Sequence, residues 1–273
     1  MRDQHVLITG GSSGIGLALA RQSAAAGARL SLIGRDPEKL ASASLAVRAA
    51  VSTTAPIVTV AADVAHEAAL VAAIRTAEAT HGPVDVLITS AGVARPGYFE
   101  DLPVEVFERT MAVNYFGSLY AIKAVTPSMR ARRRGKIVMI SSGVGLIGLF
   151  GYTAYAPSKF ALRGLAESLR AELKPNGVGV TIVYPPDTDT PQLTEENLTK
   201  PAETKALTAA AGLWTADAVA RATLAGVRQG HFRITPGLQL TALAWLHSLI
   251  APILFWSFDR TAARFRPVTK TPR

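Results

Sequence analysis

Short apolar runs alternate with longer amphipathic stretches along most of this chain. The short runs are rich in Val, Ile and Leu, as buried strands are, and the longer stretches have helical spacing. The pattern predicts strands at 5–9, 29–33, 57–61, 84–89, 136–141, 178–184 and 231–235. It predicts helices between them, for example at 14–26, 67–81, 103–133, 153–174 and 215–229. This order predicts an α/β fold, a doubly wound parallel sheet of about seven strands covered by helices on both faces.

Two regions depart from this alternation. Residues 185–213 form a long segment rich in Pro, Thr and Glu between a predicted strand and a predicted helix. Residues 234–258 contain no Asp, Glu, Lys or Arg. We therefore predict one α/β domain over 1–236, which includes the long loop at 185–213, and an apolar helical extension with a basic tail over 237–273.

Composition narrows the class of protein. The 273 residues are 49% hydrophobic and 18% charged, which is typical of a globular chain with a sizeable core and excludes a disordered one. There is no cysteine, so disulfides, thiolate catalysis and Cys-ligated zinc are excluded, and we predict no metal site. Residues 1–5 lead directly into the first predicted strand, so we expect no signal peptide.

The net charge of +9 is open to several interpretations. A solvated basic surface is the first, and an anionic membrane, a phosphate-bearing ligand and nucleic acid are the others. Five cations lie where a predicted helix ends and suit its dipole: Arg130, Arg132, Arg133, Arg134 and Lys136. Because no aromatic interleaving or groove-reading motif accompanies them, we expect no nucleic-acid partner.

A glycine-rich turn, residues 10–16, follows the first predicted strand and opens a predicted helix. Glycine is needed there because a Cβ would block the tight turn and the approach of a pyrophosphate to the helix N-terminus. The turn predicts a Rossmann-type dinucleotide site, and an ordinary glycine turn is the alternative. The predicted cofactor-binding residues are Gly10, Ser12, Ser13, Gly14, Ile15 and Gly16.

The second predicted strand ends at a basic position. Enzymes that use NAD usually place a carboxylate there, which accepts from the adenosine ribose hydroxyls. Here Gly34 is followed by Arg35, whose guanidinium suits a 2′-phosphate, and Lys39 can assist it. We therefore predict NADP(H) as the cofactor. The alternative is that Arg35 pairs with Asp36 or Glu38.

Side chains suited to carbonyl reduction follow the fifth predicted strand. Ser142 comes directly after it, and Tyr155 and Lys159 lie four residues apart, on one face of a predicted helix. A free phenol, with a pKa of about 10, donates poorly near neutrality, but a neighbouring ammonium stabilises the phenolate and lowers this pKa. A serine hydroxyl can hold the substrate oxygen. The group predicts a reductase site with Tyr155 as proton donor.

These motifs, in this order, resemble the classical branch of the short-chain dehydrogenase/reductase family over roughly residues 5–236. The resemblance implies that Asn114 completes the catalytic group, with its backbone carbonyl holding a water in a proton relay through Lys159; a locally bonded helix asparagine is the alternative. It also implies a homo-oligomer, a dimer or tetramer, through helices around 103–133 and 153–174. Further cofactor contacts implied are Asp63, Val64, Ala91, Gly92, Tyr155, Lys159, Pro185, Thr188 and Thr190.

The segment 184–201 resembles one branch of that family, the 3-ketodihydrosphingosine reductases. The resemblance implies NADPH-dependent reduction of a 3-keto group, with 185–213 as the substrate loop, although Gln192 stands where that branch tends to have glycine. A polar loop with proline-set turns is the alternative for the segment. For function, the alternatives are another hydrophobic ketone or alcohol, such as a steroid, retinoid or 3-ketoacyl compound, and a non-catalytic nucleotide-binding scaffold.

Four acidic residues of this region can attract the ammonium of such a substrate, but we expect most of them to be solvated: Asp187, Asp189, Glu195 and Glu196.

The uncharged stretch 234–258 is just long enough to span a bilayer. Gln239, His247 and Pro252 interrupt it, and Trp residues and the following Arg260, Arg264 and Arg266 favour a helix in the plane of the interface. Burial against the domain or a partner subunit is the alternative. A reductase of a membrane-soluble ketone must meet the bilayer, so we expect a cytoplasmic protein associated peripherally with the cytosolic face of a membrane.

Overall fold

The computed structural model describes residues 1–51, 57–209 and 212–265. The strands are β1 (His5–Thr9), β2 (Arg29–Gly34), β3 (Ile57–Ala61), β4 (Val86–Thr89), β5 (Gly135–Ile140), β6 (Val178–Val183), β7 (Thr188–Asp189), β8 (Trp214–Thr215) and β9 (Arg233–Ile234). The α-helices are α1 (Gly14–Ala25), α2 (Pro37–Ala50), α3 (Glu67–His81), α4 (Val104–Met111), α5 (Gly117–Ala131), α6 (Tyr155–Leu173), α7 (Pro191–Thr199), α8 (Ala202–Thr208), α9 (Ala216–Gln229) and α10 (Leu238–Ala263).

Seven strands form one parallel sheet in the order β3-β2-β1-β4-β5-β6-β9, which confirms the predicted doubly wound fold. Side chains of β1 alternate between its faces: Leu7 belongs to the core beneath α3, α5 and α6, and Val6 and Ile8 to the core beneath α1, α2 and α9. The chain reverses direction across the sheet between β1 and β4. A crevice at the carboxyl ends of these strands is where such sheets bind ligands.

The predicted helix over 103–133 is divided into α4, a π-helical turn at Ala112–Phe116, and α5. At the start of α5, a Cβ on Gly117 would lie 2.7 Å from Val64 Cγ2, so this glycine lets the helix approach the end of β3 closely. The π turn widens the helix at Asn114, a feature common at functional sites. The apolar periodicity is continuous through the turn and did not reveal it.

Residues 185–213 hold more regular structure than the predicted loop. The described part contains α7 and α8, and β7 pairs in parallel with β8. Thr190 caps α7, because its hydroxyl accepts from the backbone N–H of Leu193, and Pro191 occupies the first helical position. The proline and threonines that suggested a loop therefore start a helix.

The apolar extension is helical, as predicted. Helix α10 is kinked at Leu246, which has non-helical φ and ψ, and it also contains Pro252. Leu243 and Ala251 are buried on the domain core, while large apolar side chains elsewhere on the helix are exposed. Among the described residues, this is the one helix whose length and composition would allow it to cross a membrane. Arg266 and the rest of the basic tail lie outside the described residues.

The basic cluster after α5 is part of the scaffold. Arg132 and Arg134 both donate to the carboxylate of buried Asp85 at 2.8 Å, and Lys136 donates to the carbonyl of Val227. These contacts lie at the amino ends of the strands, opposite the crevice. Part of the positive charge thus stabilises the fold.

Candidate active site

A cleft of about 560 Å³ opens at the carboxyl ends of the strands, beside the switch between β1 and β4. It is lined by every residue predicted to bind the cofactor: Gly10, Ser12, Ser13, Gly14, Ile15, Gly16, Arg35, Lys39, Asp63, Val64, Ala91, Gly92, Tyr155, Lys159, Pro185, Thr188 and Thr190. Three of the four predicted catalytic residues also line it, and Asn114 does not. The fold therefore brings together residues that are up to 180 positions apart in the sequence.

The glycine-rich turn leaves no room for side chains. Gly10 has φ +70°, and a Cβ there would lie 2.6 Å from the backbone nitrogen of Ala91. Gly14 has φ +51°, and its Cβ would lie 3.0 Å from Thr190 Cγ2. Ser13 precedes α1 without capping it through its side chain, so the first N–H groups of this helix are free to bind an anion. The turn fits a pyrophosphate.

Arg35 is exposed at the end of β2 and lines the cleft. The carboxylate of Asp36 accepts from the backbone N–H groups of Glu38 and Lys39, and so caps α2. Within the described ranges, Arg35 forms no ion pair with Asp36 or Glu38, so the alternative pairing is not observed. The guanidinium faces a cleft that suits a 2′-phosphate.

Asp63 lies at the adenosine end of the cleft. Its carboxylate accepts from the backbone N–H of Ala65 at 3.0 Å and from Arg109 at 2.8 Å. Burial alone would raise the pKa of this carboxyl, but these two hydrogen bonds, with the charges of Arg109 and Arg35, lower it overall. Asp63 is therefore an anionic acceptor beside the cleft at neutral pH.

Tyr155, Lys159 and Ser142 meet at the other end of the cleft. Tyr155 begins α6, and the ammonium of Lys159 lies 5.4 Å from the centre of its ring and donates to the carbonyl of Ile140 at 3.1 Å. Tyr155 is 8% exposed and Lys159 is 4% exposed. Ser142 follows β5, its hydroxyl accepts from the backbone N–H of Val144 at 3.4 Å, and it lines the cleft together with Tyr155. A phenol and a serine hydroxyl thus face the same part of the cleft.

The predicted lowering of the Tyr155 pKa is wrong for the protein alone. Burial and the carboxylate of Glu196 raise this pKa, and the nearby polar groups of Ser142 and Gln192, which lower it, offset them only partly. Burial also lowers the pKa of Lys159 to about 8. The physical reason is that loss of solvation and the negative charges of Glu196 and Asp187 both disfavour the phenolate. Tyr155 is consequently held protonated, the state that a proton donor requires.

Asn114 does not line the cleft but is hydrogen-bonded to Val93, which does. Its side-chain amide accepts from the N–H of Val93 at 2.9 Å and donates to the carbonyl of Val93 at 3.0 Å and to Ser158 at 2.9 Å. Its backbone carbonyl accepts from Ser118. The alternative of a locally bonded helix asparagine is therefore wrong, because the side chain ties the π turn to the loop after β4 and to α6.

Tyr152, Gln192 and Glu196 form one hydrogen-bonded group in the lining of the cleft. The sequence analysis named Glu196 as a group that can attract a substrate ammonium, but it did not predict this group. Glu196 is only 7% exposed and accepts from the Tyr152 hydroxyl at 2.7 Å and from the Gln192 amide at 2.8 Å. Most of the four acidic residues were expected to be solvated; Asp189 and Glu195 are exposed, and buried Glu196 is the exception. The available signal was the i, i+4 spacing of Gln192 and Glu196 on one helix face.

The sequence profile of the family described as short chain dehydrogenase matches residues 4–201. The 3-dehydrosphinganine reductase of Danio rerio is 41% identical over 284 residues, covering 95% of this chain and 86% of that protein. The 3-ketodihydrosphingosine reductase of Bos taurus is 42% identical, covering 91% and 76%. A short-chain dehydrogenase from Sphingobium yanoikuyae, solved in complex with NADPH, superposes with a TM-score of 0.78 at 26% identity, covering 98% of each chain.

Proposed function

The chain belongs to the short-chain dehydrogenase family, and we propose that it reduces 3-ketodihydrosphingosine to dihydrosphingosine with NADPH, a step of sphingolipid synthesis. The observation that carries the proposal is near full-length similarity to reductases of that name, in a chain whose Tyr155, Lys159 and Ser142 meet in one cleft. The apolar end of this cleft, formed by Val144, Leu149 and neighbouring aromatic rings, suits a long hydrocarbon chain.

The cofactor is NADP(H), and its site is the cleft between the glycine-rich turn and α7. We propose that the N-terminus of α1 holds the pyrophosphate, that Arg35 and Lys39 hold the 2′-phosphate, and that Asp63 accepts from the adenine. Bound NADPH supplies a hydride, two electrons and one hydrogen nucleus, to the ketone carbon.

The chain itself supplies the proton. In our proposal the Ser142 hydroxyl donates a hydrogen bond to the ketone oxygen, and Tyr155 transfers its proton to that oxygen as the carbon is reduced. The resulting phenolate is stabilised by the ammonium of Lys159, which lies above its ring, and regains a proton from solvent. Asn114 acts as a positioning residue, because it fixes the backbone of Val93 beside the cleft.

We further propose that residues 1–236 form the catalytic domain and that 237–273 associate with a membrane surface on the cytosolic side. The exposed face of α10 carries Leu238 (88% exposed), Trp245 (77%) and Leu249 (72%). Arg260 lies 4.8 Å from the centre of the Trp256 ring, a pairing suited to the headgroup region. A helix packed on the core along one side fits the plane of the interface better than a span.

The N-terminal end of α10 lies beside Ser142 of the proposed catalytic group. A Cβ on Gly143 would lie 3.1 Å from Leu240 Cδ2, and Gly143 directly follows Ser142. A ketone dissolved in the bilayer would therefore enter the cleft close to where the apolar helix begins. This contact supports a membrane route for the substrate.

We also propose a homo-oligomer, a dimer or tetramer, that uses α4, α5 and α6. Phe116 at the start of α5 is 40% exposed, and Phe160 on α6 is 38% exposed. Large apolar side chains on two neighbouring helices are what a subunit interface would bury.

The function is tested by NADPH oxidation with purified protein and 3-ketodihydrosphingosine, with and without phospholipid vesicles. We expect turnover of this ketone and a faster rate with vesicles. Turnover of a steroid, a retinoid or a 3-ketoacyl compound, with none of 3-ketodihydrosphingosine, would refute the substrate while leaving the reductase chemistry intact.

A further inference from the structure

Glu196 has an unusual position for a carboxylate. It lies on α7, lines the cleft, and is buried. Both groups that bond to it are neutral donors, the hydroxyl of Tyr152 at 2.7 Å and the amide of Gln192 at 2.8 Å. Among the described residues it forms no ion pair. A buried carboxylate without a counter-ion is costly, so a cation in the cleft would stabilise it.

The other acidic residues of the segment do not share this position. Asp187 pairs with the buried ammonium of Lys200 at 3.6 Å, so its charge is already matched. Asp189 and Glu195 are exposed. Glu196 is therefore the carboxylate of this segment that is both buried in the cleft and without a cation.

Glu196 is also close to the reacting end of the cleft. The rings of Tyr152 and Tyr155 lie 5.6 Å apart, and the hydroxyl of Tyr152 is bonded to Glu196. Gln192 lines the cleft as well and, one turn earlier on α7, donates to Glu196 at 2.8 Å. The negative charge of Glu196 adds to the effect of burial in raising the pKa of Tyr155, and it partly offsets the lowering that burial causes in the pKa of Lys159.

The substrate class of the proposed function carries a cation next to the reacting carbonyl. In a 2-amino-3-ketone, the ammonium sits on the carbon next to the carbonyl, so a group that binds it must lie beside the proton donor. We propose that Glu196 is the specificity-determining residue that binds the ammonium of an α-amino ketone, held in place by Tyr152 and Gln192. This inference rests on the proposed function, and it explains why the enzyme would prefer a ketone that carries an amino group.

The test compares Glu196→Gln with wild type on two ketones of equal chain length, 3-ketodihydrosphingosine and its analogue without the amino group. The glutamine keeps an oxygen for the Tyr152 hydroxyl and removes the charge. A hydrogen bond to a charged group contributes enough for about a 10- to 100-fold loss of kcat/KM on the amino ketone. Removing the charge also acts on the pKa of Tyr155, but that effect is common to both ketones. We therefore expect the preference for the amino ketone, the ratio of the two kcat/KM values, to fall by about 10- to 100-fold.

Glu203→Gln is the matched control. Glu203 is equally buried, 7% exposed, and also accepts from a tyrosine hydroxyl, that of Tyr98 at 3.1 Å, but it does not line the cleft. We expect this variant to keep the wild-type preference for the amino ketone. NADPH affinity, measured for all three proteins, identifies a variant that fails to fold.

A binding measurement separates this inference from the proposed function. Decylammonium and decanol are titrated into the NADPH-bound protein, which requires no turnover. We expect wild type and Glu203→Gln to bind decylammonium at least about tenfold more tightly than decanol, and Glu196→Gln to bind the two alike. Equal affinities in wild type, or a Glu196→Gln loss on both ketones alike, would overturn the role of Glu196. Absence of turnover with selective amine binding would overturn the substrate alone.

Discussion

Replacing Asp85 by Asn should destabilise the fold without altering the active site. The Asp85 side chain is 4% exposed, and its carboxylate accepts from Arg132 and Arg134 at 2.8 Å and from the backbone N–H of His5 at 3.0 Å. An asparagine keeps one oxygen acceptor and loses the charge. Because Asp85 lies at the amino end of β4, opposite the cleft, we expect unchanged kcat and KM at 25 °C.

The expected loss of stability in Asp85→Asn follows from how exposed its partners Arg132 and Arg134 are. Arg134 is 68% exposed and contributes little, whereas Arg132 is 27% exposed and its hydrogen bond to a buried carboxylate contributes about 2 kcal/mol. For a chain of this size, the expected fall in Tm at pH 7 is roughly 4–8 °C by differential scanning calorimetry. Asp217→Asn is the control, because the Arg21–Asp217 pair is exposed on both sides and should change Tm by about 2 °C or less.

The pH dependence of the stability difference between wild type and Asp85→Asn tests whether the ionised carboxylate of Asp85 is the stabilising form. Burial alone would raise the pKa of Asp85, but its hydrogen bonds with Arg134, His5 and Arg132 lower it overall. A lowered carboxyl pKa contributes stability that is fully present above the unfolded value, about 3.9, and is lost as the pH falls through the folded value. The difference between wild type and Asp85→Asn should therefore shrink below about pH 4. Equal Tm values at pH 7, or a difference undiminished at pH 3, would refute this reasoning.

Other predictions concern the cofactor, the catalytic serine and the membrane. Arg35→Asp should raise the KM for NADPH by about 10- to 100-fold and improve use of NADH, since a carboxylate repels the 2′-phosphate; an unchanged cofactor preference in steady-state assays rejects the role of Arg35. Ser142→Ala should lower kcat by about 10²-fold while the Kd for NADPH stays within about twofold, and a full-rate variant would contradict its bond to the ketone oxygen. The double variant Trp245→Glu, Leu249→Glu should no longer co-sediment with anionic vesicles, and its Tm should not change. The control is Leu45→Glu, which alters an exposed residue of α2 and should bind vesicles as wild type does. Vesicle binding that survives in the double variant would contradict the proposed membrane face.

The regular elements of the sheet were predictable because strand and helix periods differ clearly. The predicted bounds of β1, β3 and α3 are those observed. The last strand is shorter than predicted, because only Arg233 and Ile234 pair with β6. The π turn at 112–116 escaped detection since a widened turn leaves the apolar pattern intact.

The residues predicted to bind the cofactor line one cleft, and the glycine-rich turn among them was predictable because its geometry needs particular residues, as at Gly10 with its positive φ. Glu196 was among the acidic candidates, but its burial was not predictable, since that depends on a tertiary contact with Tyr152, which is 44 positions away. The direction of the Tyr155 pKa likewise depends on desolvation, which the spacing of Tyr155 and Lys159 does not reveal.

The central claim is that the hydride of NADPH reaches C3 of 3-ketodihydrosphingosine while Tyr155 supplies the proton. The most direct measurement uses NADPH with deuterium at both C4 positions of the dihydronicotinamide, with the product analysed by mass spectrometry for wild type and Tyr155→Phe. We predict deuterium at C3 of dihydrosphingosine with wild type, and a rate lowered by about 100-fold or more with the variant. Product without deuterium, or a variant as fast as wild type, would contradict it.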